Sequence, residues 1–203
     1  MSQRPPYIAF EGAEGSGKST QATRLADTIG AVHTRETGGT PVGARIREIL
    51  HDTTVEHLDA RAEALLTAAD RAQHLAEVVA PALAAGTPVV TDRSVYSSLA
   101  YQGYGRQLDV AEIRHLNEWG TNGLWPTTIV FLDTPDETIA ERMSRRDLDR
   151  FEAAGDEFHA RVLAGFREMA AADPDRWITV QAIGSVARVA EEIHAALVER
   201  RVL

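Results

Sequence analysis

Apolar residues fall along this chain in two alternating rhythms. Short unbroken runs at Tyr7-Ile8-Ala9-Phe10, Thr87-Pro88-Val89-Val90-Thr91 and Thr128-Ile129-Val130-Phe131-Leu132 read as strands buried on both faces. Weaker versions occur at Ala31-Val32-His33-Thr34 and Trp177-Ile178-Thr179-Val180. Between them, segments at roughly 18–29, 42–51, 60–85, 109–121, 136–143, 155–172 and 185–200 read as helices, several with apolar residues at i, i+3, i+4 and i+7. This alternation predicts an α/β fold, a parallel sheet covered by helices on both faces. In such a sheet ligands gather beyond the carboxyl ends of the strands, so the segments that follow each strand are where chemistry is expected.

Composition narrows the classes. With 203 residues, 44% of them hydrophobic, and no repeat or Ser/Gly-rich linker, a single domain over 1–203 is expected. A formal net charge of -9 argues against a nucleic-acid partner, which needs a basic face to displace counterions. A small anionic ligand held by local arginines is compatible with that charge. The chain has no cysteine, no leader-like start and no apolar run long enough to span a bilayer. These features point to a cytoplasmic protein with no membrane partner. The seven histidines are scattered without metal-site spacing, and Trp119, Trp125 and Trp177 are expected to pack rather than bind.

The first strand runs into Gly12-Ala13-Glu14-Gly15-Ser16-Gly17-Lys18-Ser19-Thr20, which fits G-x-x-x-x-G-K-[ST] and opens an amphipathic helix. The glycines let successive backbone N–H groups turn inward onto phosphate oxygens, and the helix start adds a positive dipole end. In this pattern Lys18 reaches the β- and γ-phosphates of ATP, and the Ser19 hydroxyl ligates Mg²⁺. The guanine-reading Asn-Lys-x-Asp run of GTPases is absent. The third strand instead ends in Thr91-Asp92-Arg93, followed by Ser94-Val95-Tyr96-Ser97-Ser98-Leu99-Ala100-Tyr101-Gln102-Gly103. A carboxylate and a guanidinium therefore face the same cleft as the glycine-rich loop.

With those residues in view the chain resembles the thymidylate kinase family, whose signature is Asp-Arg-Tyr followed by a helix containing Ser and Ala-Tyr-Gln. The likeness covers most of the chain in order. Phe10-Glu11-Gly12 leads into the loop, and Arg35-Glu36-Thr37-Gly38-Gly39-Thr40 resembles the family's Arg-Glu-Pro-Gly-Gly-Thr segment. Ala64-Leu65-Leu66-Thr67-Ala68-Ala69-Asp70-Arg71 is similar to its base-binding helix, and Asp149-Arg150-Phe151-Glu152 to the end of its lid. Phe158-His159, Arg161-Val162 and Gly165-Phe166 continue the match.

The resemblance implies a P-loop three-layer fold of the nucleoside monophosphate kinase type, with a five-stranded parallel sheet and a short lid at about 142–152. It implies transfer of the ATP γ-phosphoryl group to a pyrimidine deoxynucleoside monophosphate, dTMP first, in a homodimer. Arg93 would grip the acceptor phosphate bidentately, and Asp92 would hold Mg²⁺ through water. Arg71 would donate to a base carbonyl, Gln102 would touch the same ring, and Ser98 would line that side. Tyr101 would lie on the sugar and exclude a 2′-hydroxyl. Glu14 and Glu152 correspond to carboxylates near the sugar 3′-hydroxyl and the metal. The loop carries Glu14-Gly15 where one branch of the family has an arginine, so the missing cation is expected from the lid. Arg145 is the first choice, with Arg142, Arg146 and Arg150 beside it.

Three positions depart from the family pattern. Thr37 replaces a proline whose peptide bond is often cis, Thr67 stands where a phenylalanine stacks on thymine, and Ser94 takes the place of the tyrosine of Asp-Arg-Tyr. Either other side chains such as Tyr96, Tyr101 or Phe151 fill the space, or the pocket is retuned for another pyrimidine. A third reading is a regulator that keeps the cradle without turnover. Gln181 stands where the family often has an aspartate before its last helix, so the adenine contacts are not legible.

Overall fold

The computed structural model describes residues 5–55, 57–135, 138–139 and 150–203. Five parallel strands form one sheet: β1 (Tyr7–Glu11), β2 (Val32–Arg35), β3 (Val89–Asp92), β4 (Thr128–Leu132) and β5 (Trp177–Val180), in the order β2-β3-β1-β4-β5. The helices are α1 (Lys18–Ile29), α2 (Pro41–His51), α3 (Ala60–His74), α4 (Val95–Ser98), α5 (Val110–Thr121), α6 (Asp156–Ala172) and α7 (Val186–Glu199). Among the described residues this is the expected α/β fold with a five-stranded parallel sheet flanked by helices. None of the described helices is long and apolar enough to cross a membrane.

Side chains alternate across the sheet, and each face builds its own core. Ile8, Phe10, Val90, Val130, Leu132, Ile178 and Val180 pack on Ala22, Leu25 and Ala26 of α1 and Val189, Ile193 and Leu197 of α7. On the opposite face Ile129, Phe131 and Trp177 meet Tyr96, Leu99, Phe158, Val162 and Phe166. Trp125 and Trp177 both lie edge-on to Tyr96, in keeping with a packing role.

Two helical details differ from the expected pattern. The 60–85 segment stays helical, but α3 passes through a π-helical turn, Leu75–Val79, before the short α-helical stretch Ala80–Ala84. Pro81 has no N–H to give the preceding turn, and widening that turn accommodates it. The second difference is α4, which continues as a π-helical segment, Leu99–Gly105. Its Ser-Ser-Leu-Ala-Tyr-Gln-Gly composition lacks a clean 3.6-residue repeat because most of it is buried all round, and Leu99, Ala100, Tyr101 and Gln102 are all core residues. Most of the helix expected at 136–143 lies outside the described residues.

Register delivers the site. Phe10 pairs with Asp92 and with Val130, and Arg35 also pairs with Asp92. The carboxyl ends of β2, β3 and β1 therefore stop in one row, and the loops they feed converge there.

Candidate active site

The loop after β1 is built around Gly12 (φ 144°) and Gly17 (φ 98°), conformations that L side chains rarely adopt. A β-carbon at Gly12 would also sit 2.7 Å from the Leu132 carbonyl oxygen. Lys18 begins α1, is buried, and donates from Nζ to the Ala13 carbonyl at 2.7 Å, which bends its ammonium back over the loop. Burial, then the Arg93 guanidinium, pull its pKa below the usual lysine range, against Glu14, Asp92 and Glu11.

At the end of β3, Arg93 takes a left-handed backbone (φ 70°), and its N–H donates to the Phe10 carbonyl at 2.9 Å. Its side chain is thereby turned over the loop. Nη1 donates to Ser97 Oγ at 3.0 Å, Nη2 donates to the Tyr101 hydroxyl oxygen at 3.1 Å, and Nη2 also pairs with Glu14. The guanidinium lies 5.0 Å from the centre of the Tyr101 ring. Burial opposes ionisation of Glu14, but Arg93 and Lys18 outweigh it and hold the carboxyl well below its ordinary range. Ser19 Oγ donates to Asp92 Oδ2, while Asp92 Oδ1 is buried with no hydrogen-bond partner among the described residues.

Two cavities meet at this loop. One, of about 280 Å³, is lined by Glu14, Lys18 and Ser19 together with Arg35, Thr37, Arg47, Thr67, Arg71, Asp92, Arg93, Ser98, Tyr101, Gln102 and Phe151, among others. The second, of about 370 Å³, is walled by Glu14, Gly15, Ser16, Gly17, Lys18, Ser19, Thr20 and Gln21, and by Ala182, Gly184, Val186 and Val189 across from them. Glu14, Lys18 and Ser19 face both.

A polar cluster supports the first cavity from behind. Arg71 Nε donates to Glu36 Oε2 at 2.7 Å, its Nη1 donates to Ser98 Oγ at 2.9 Å and to Asn117, and its Nη2 donates to the Ser94 carbonyl at 3.1 Å. Glu36 also meets His74 Nδ1 at 3.0 Å, and His74 Nε2 lies 2.7 Å from Thr34 Oγ1. Burial raises the Glu36 pKa, but Arg71 and His74 more than offset that and bring it below the ordinary carboxylate range.

With this geometry in place, residues 10–193 match the sequence model of the family described as thymidylate kinase. The chain belongs to the thymidylate kinase family. Relatives carrying that name are 46% identical over 200 residues in Synechococcus sp. (strain JA-2-3B'a(2-13)), covering 96% of this chain and 95% of the relative. The thymidylate kinase of Exiguobacterium sp. (strain ATCC BAA-1283 / AT1b) is 42% identical, with 96% and 94% covered. That of Cutibacterium acnes (strain DSM 16379 / KPA171202) is 46% identical, with 92% and 93% covered. The chain is thus a member of a kinase family, and the architecture around its loop is that of an ATP-using enzyme.

Most of the expected acceptor residues line one cavity, but several expectations need correcting. Ser94 is absent from the cavity wall. Its hydroxyl donates to Glu11 Oε1 at 2.7 Å and caps α4, so the tyrosine-to-serine change lies behind the pocket. Tyr96 is also outside it, held by Trp125, Trp177 and Arg176, so of the three side chains expected to fill the space Tyr101 and Phe151 reach the wall. Arg150, expected beside the transferring phosphoryl group, points elsewhere. It pairs with the buried Glu63 at 2.7 Å and donates from Nε to the Leu50 carbonyl at 2.8 Å. Glu152 opens a short 3-10 turn (Glu152–Ala154) and is in neither cavity wall. Thr37 lines the cavity, and the Glu36–Thr37 peptide bond is cis. Gln181 reaches Asp133 at 3.4 Å and lines neither cavity. Arg142, Arg145 and Arg146 lie outside the described residues.

Several site residues carry no role in the sequence reading: Glu11, Glu36, Arg47, Glu63, His74 and Asn117. A signal existed for some of them. Glu63, Thr67, Arg71 and His74 recur at helical spacing on the buried side of α3, and a polar stripe where apolar residues belong marks a ligand wall or its support. Arg47 likewise falls between Gly43 and Leu50 on the buried side of α2.

Proposed function

We propose that this chain transfers the γ-phosphoryl group of ATP to dTMP, giving dTDP and ADP, within one kinase domain over 1–203. The observation that carries this reading is the shared wall. Glu14, Lys18 and Ser19 face both cavities, so a phosphoryl group on one side and an acceptor oxygen on the other can be held in line across Lys18.

ATP occupies the larger cavity, its phosphates on the N–H groups of Gly12–Ser19 and Thr20, and its adenine against Ala182, Gly184, Val186 and Val189. The acceptor occupies the other. Its phosphate is gripped by Arg93, with Arg47 and Arg35 adding charge from the same wall, and its sugar lies on Tyr101. Its base fits among Thr67, Ser98 and Phe151 and is read by Arg71 and Gln102.

Mg²⁺ fits Ser19 and Asp92, since Asp92 presents a buried oxygen without a partner among the described residues and both residues are hard oxygen donors. Carried in with ATP, the ion would supply charge neutralisation for the transferring phosphoryl group. The acceptor oxygen is already ionised, so the side chains need only position and neutralise. Lys18 and Arg93 do this from the cleft, and Arg142, Arg145 and Arg146 add charge as the 142–152 lid closes and excludes water. The protein acts in the cytoplasm as a homodimer through α3 and α5, a reading supported by Leu65 and by Trp119, which is 82% exposed.

An ADP-release assay with Mg²⁺-ATP against dTMP, dUMP, dCMP, UMP, CMP and AMP tests this, beside Lys18→Ala. Preference for dTMP that disappears in the variant supports the proposal. ATP binding without turnover on dTMP overturns it.

A further inference from the structure

This inference deepens the acceptor reading above and rests on it. Gln102 is 2% exposed and lines the acceptor cavity, with its amide nitrogen donating to Glu63 Oε1 at 2.9 Å. Glu63 is fully buried on α3 and also faces Arg106 Nη2 at 3.1 Å and Arg150 Nη2 at 2.7 Å. A carboxylate that meets two guanidinium groups accepts hydrogen bonds and donates none. The Gln102 atom against it is therefore the NH₂ group.

An amide has two ends. With its nitrogen committed to Glu63, Gln102 has only its carbonyl oxygen to offer to the cavity it lines. Reversing the amide would set two acceptors face to face in a buried site and leave the NH₂ group without Glu63, which is costly. Arg71 presents the opposite polarity in the same wall. Its Nε and both Nη1 hydrogens are used by Glu36, Ser98 and Asn117. Its Nη2 spends one hydrogen on the Ser94 carbonyl and keeps the other. Together these two side chains offer one acceptor and one donor.

We infer that Glu63 is a specificity-determining positioning residue. By locking the Gln102 amide, it makes the cavity accept the N3–H and the neighbouring carbonyl of thymine or uracil. Cytosine presents an acceptor at N3 and a donor at N4, so it meets like against like at both places. A site that hydrogen-bonds its substrate rejects a mismatched analogue strongly, because buried groups are left unpaired.

The test measures kcat and KM for dTMP, dUMP and dCMP at saturating Mg²⁺-ATP in the full chain, with wild type, Glu63→Gln and Glu63→Asp. The amide in Glu63→Gln can donate to Gln102, so Gln102 is free to turn. The kcat/KM ratio of dTMP to dCMP is expected to fall about 10-fold or more in Glu63→Gln, through KM for the nucleotide and with KM for ATP unchanged. Glu63→Asp keeps an acceptor-only group and retains the wild-type ratio even where total activity drops. A ratio that stays at the wild-type value in Glu63→Gln overturns the inference, as does an equal fall in both variants. If Glu63→Gln does not fold, wild type decides with N3-methyl-dTMP. This substrate should be used at least about 10-fold less well than dTMP, and equal use of the two overturns the inference. Wild type that turns over none of these nucleotides refutes the acceptor reading itself, whereas dTMP preference with an unmoved ratio refutes only the role of Glu63.

Discussion

Nε of Arg71 lies 2.7 Å from Oε2 of Glu36, and both side chains are almost wholly removed from solvent. Glu36 follows directly on β2, and Arg71 faces it from α3, 35 positions further along the chain. Breaking a buried pair on one side leaves an uncompensated charge, which typically costs about 3–5 kcal/mol. Glu36→Gln is therefore expected to lower stability at pH 7 by about 3 kcal/mol. The folded-state pKa of Glu36 is depressed, so its contribution is present above the unfolded carboxyl value of about 4.3 and is lost as pH falls through the folded value. The gap between wild type and variant should close as pH drops below about 4, as read by urea unfolding across pH. A gap that does not depend on pH would contradict this.

The Tyr101 hydroxyl accepts from Arg93 at 3.1 Å, while its ring packs edge-on to Phe151, Phe158 and Phe166. Tyr101→Phe removes the first and keeps the second. A hydrogen bond to a charged group contributes about 1.5–3 kcal/mol, so kcat/KM for dTMP should fall about 10-fold. The melting temperature and KM for ATP should change little. A melting temperature that collapses with activity would mean that the hydroxyl serves the core instead.

Asp92 is paired to Ser19 through one oxygen and leaves the other buried without a partner among the described residues. Asp92→Asn weakens that end as an ion site without altering its size. Titrating Mg²⁺ at fixed ATP should show the half-saturating concentration raised by about 10-fold or more, with turnover recovered in part at high Mg²⁺. An unmoved titration curve would remove Asp92 from the metal site.

Thr67 occupies the cavity wall where an aromatic ring would face the base, and its hydroxyl is spent on the Ala64 carbonyl at 2.9 Å. Base–aromatic stacking contributes about 1–3 kcal/mol, so Thr67→Phe should lower KM for dTMP about 10-fold. A rise in KM would show that Phe151 and Tyr101 already fill that space.

The strand segments, the phosphate loop and the adjacent Asp92-Arg93 were legible in the sequence because each is local. A strand needs a short apolar run, and a phosphate cradle needs glycines at fixed offsets before a lysine. Such signals survive without any knowledge of neighbours. Even the cis bond before Thr37 lies where the resemblance located a proline.

What the tertiary structure alone decided is which face each polar residue turns to. Ser94 and Thr67 both read as losses from one pocket, yet Ser94 lies behind it on Glu11 and Thr67 forms its wall. Arg150 sits in an arginine-rich run, but the fold delivers it to Glu63 and the end of α2. Glu63 and Gln102 are 39 positions apart, as are few pairs that local periodicity can relate. A composition or a motif fixes which groups a chain carries. Their partners depend on register and helix packing, because a buried charge takes its state from whatever the folded chain brings within about 4 Å.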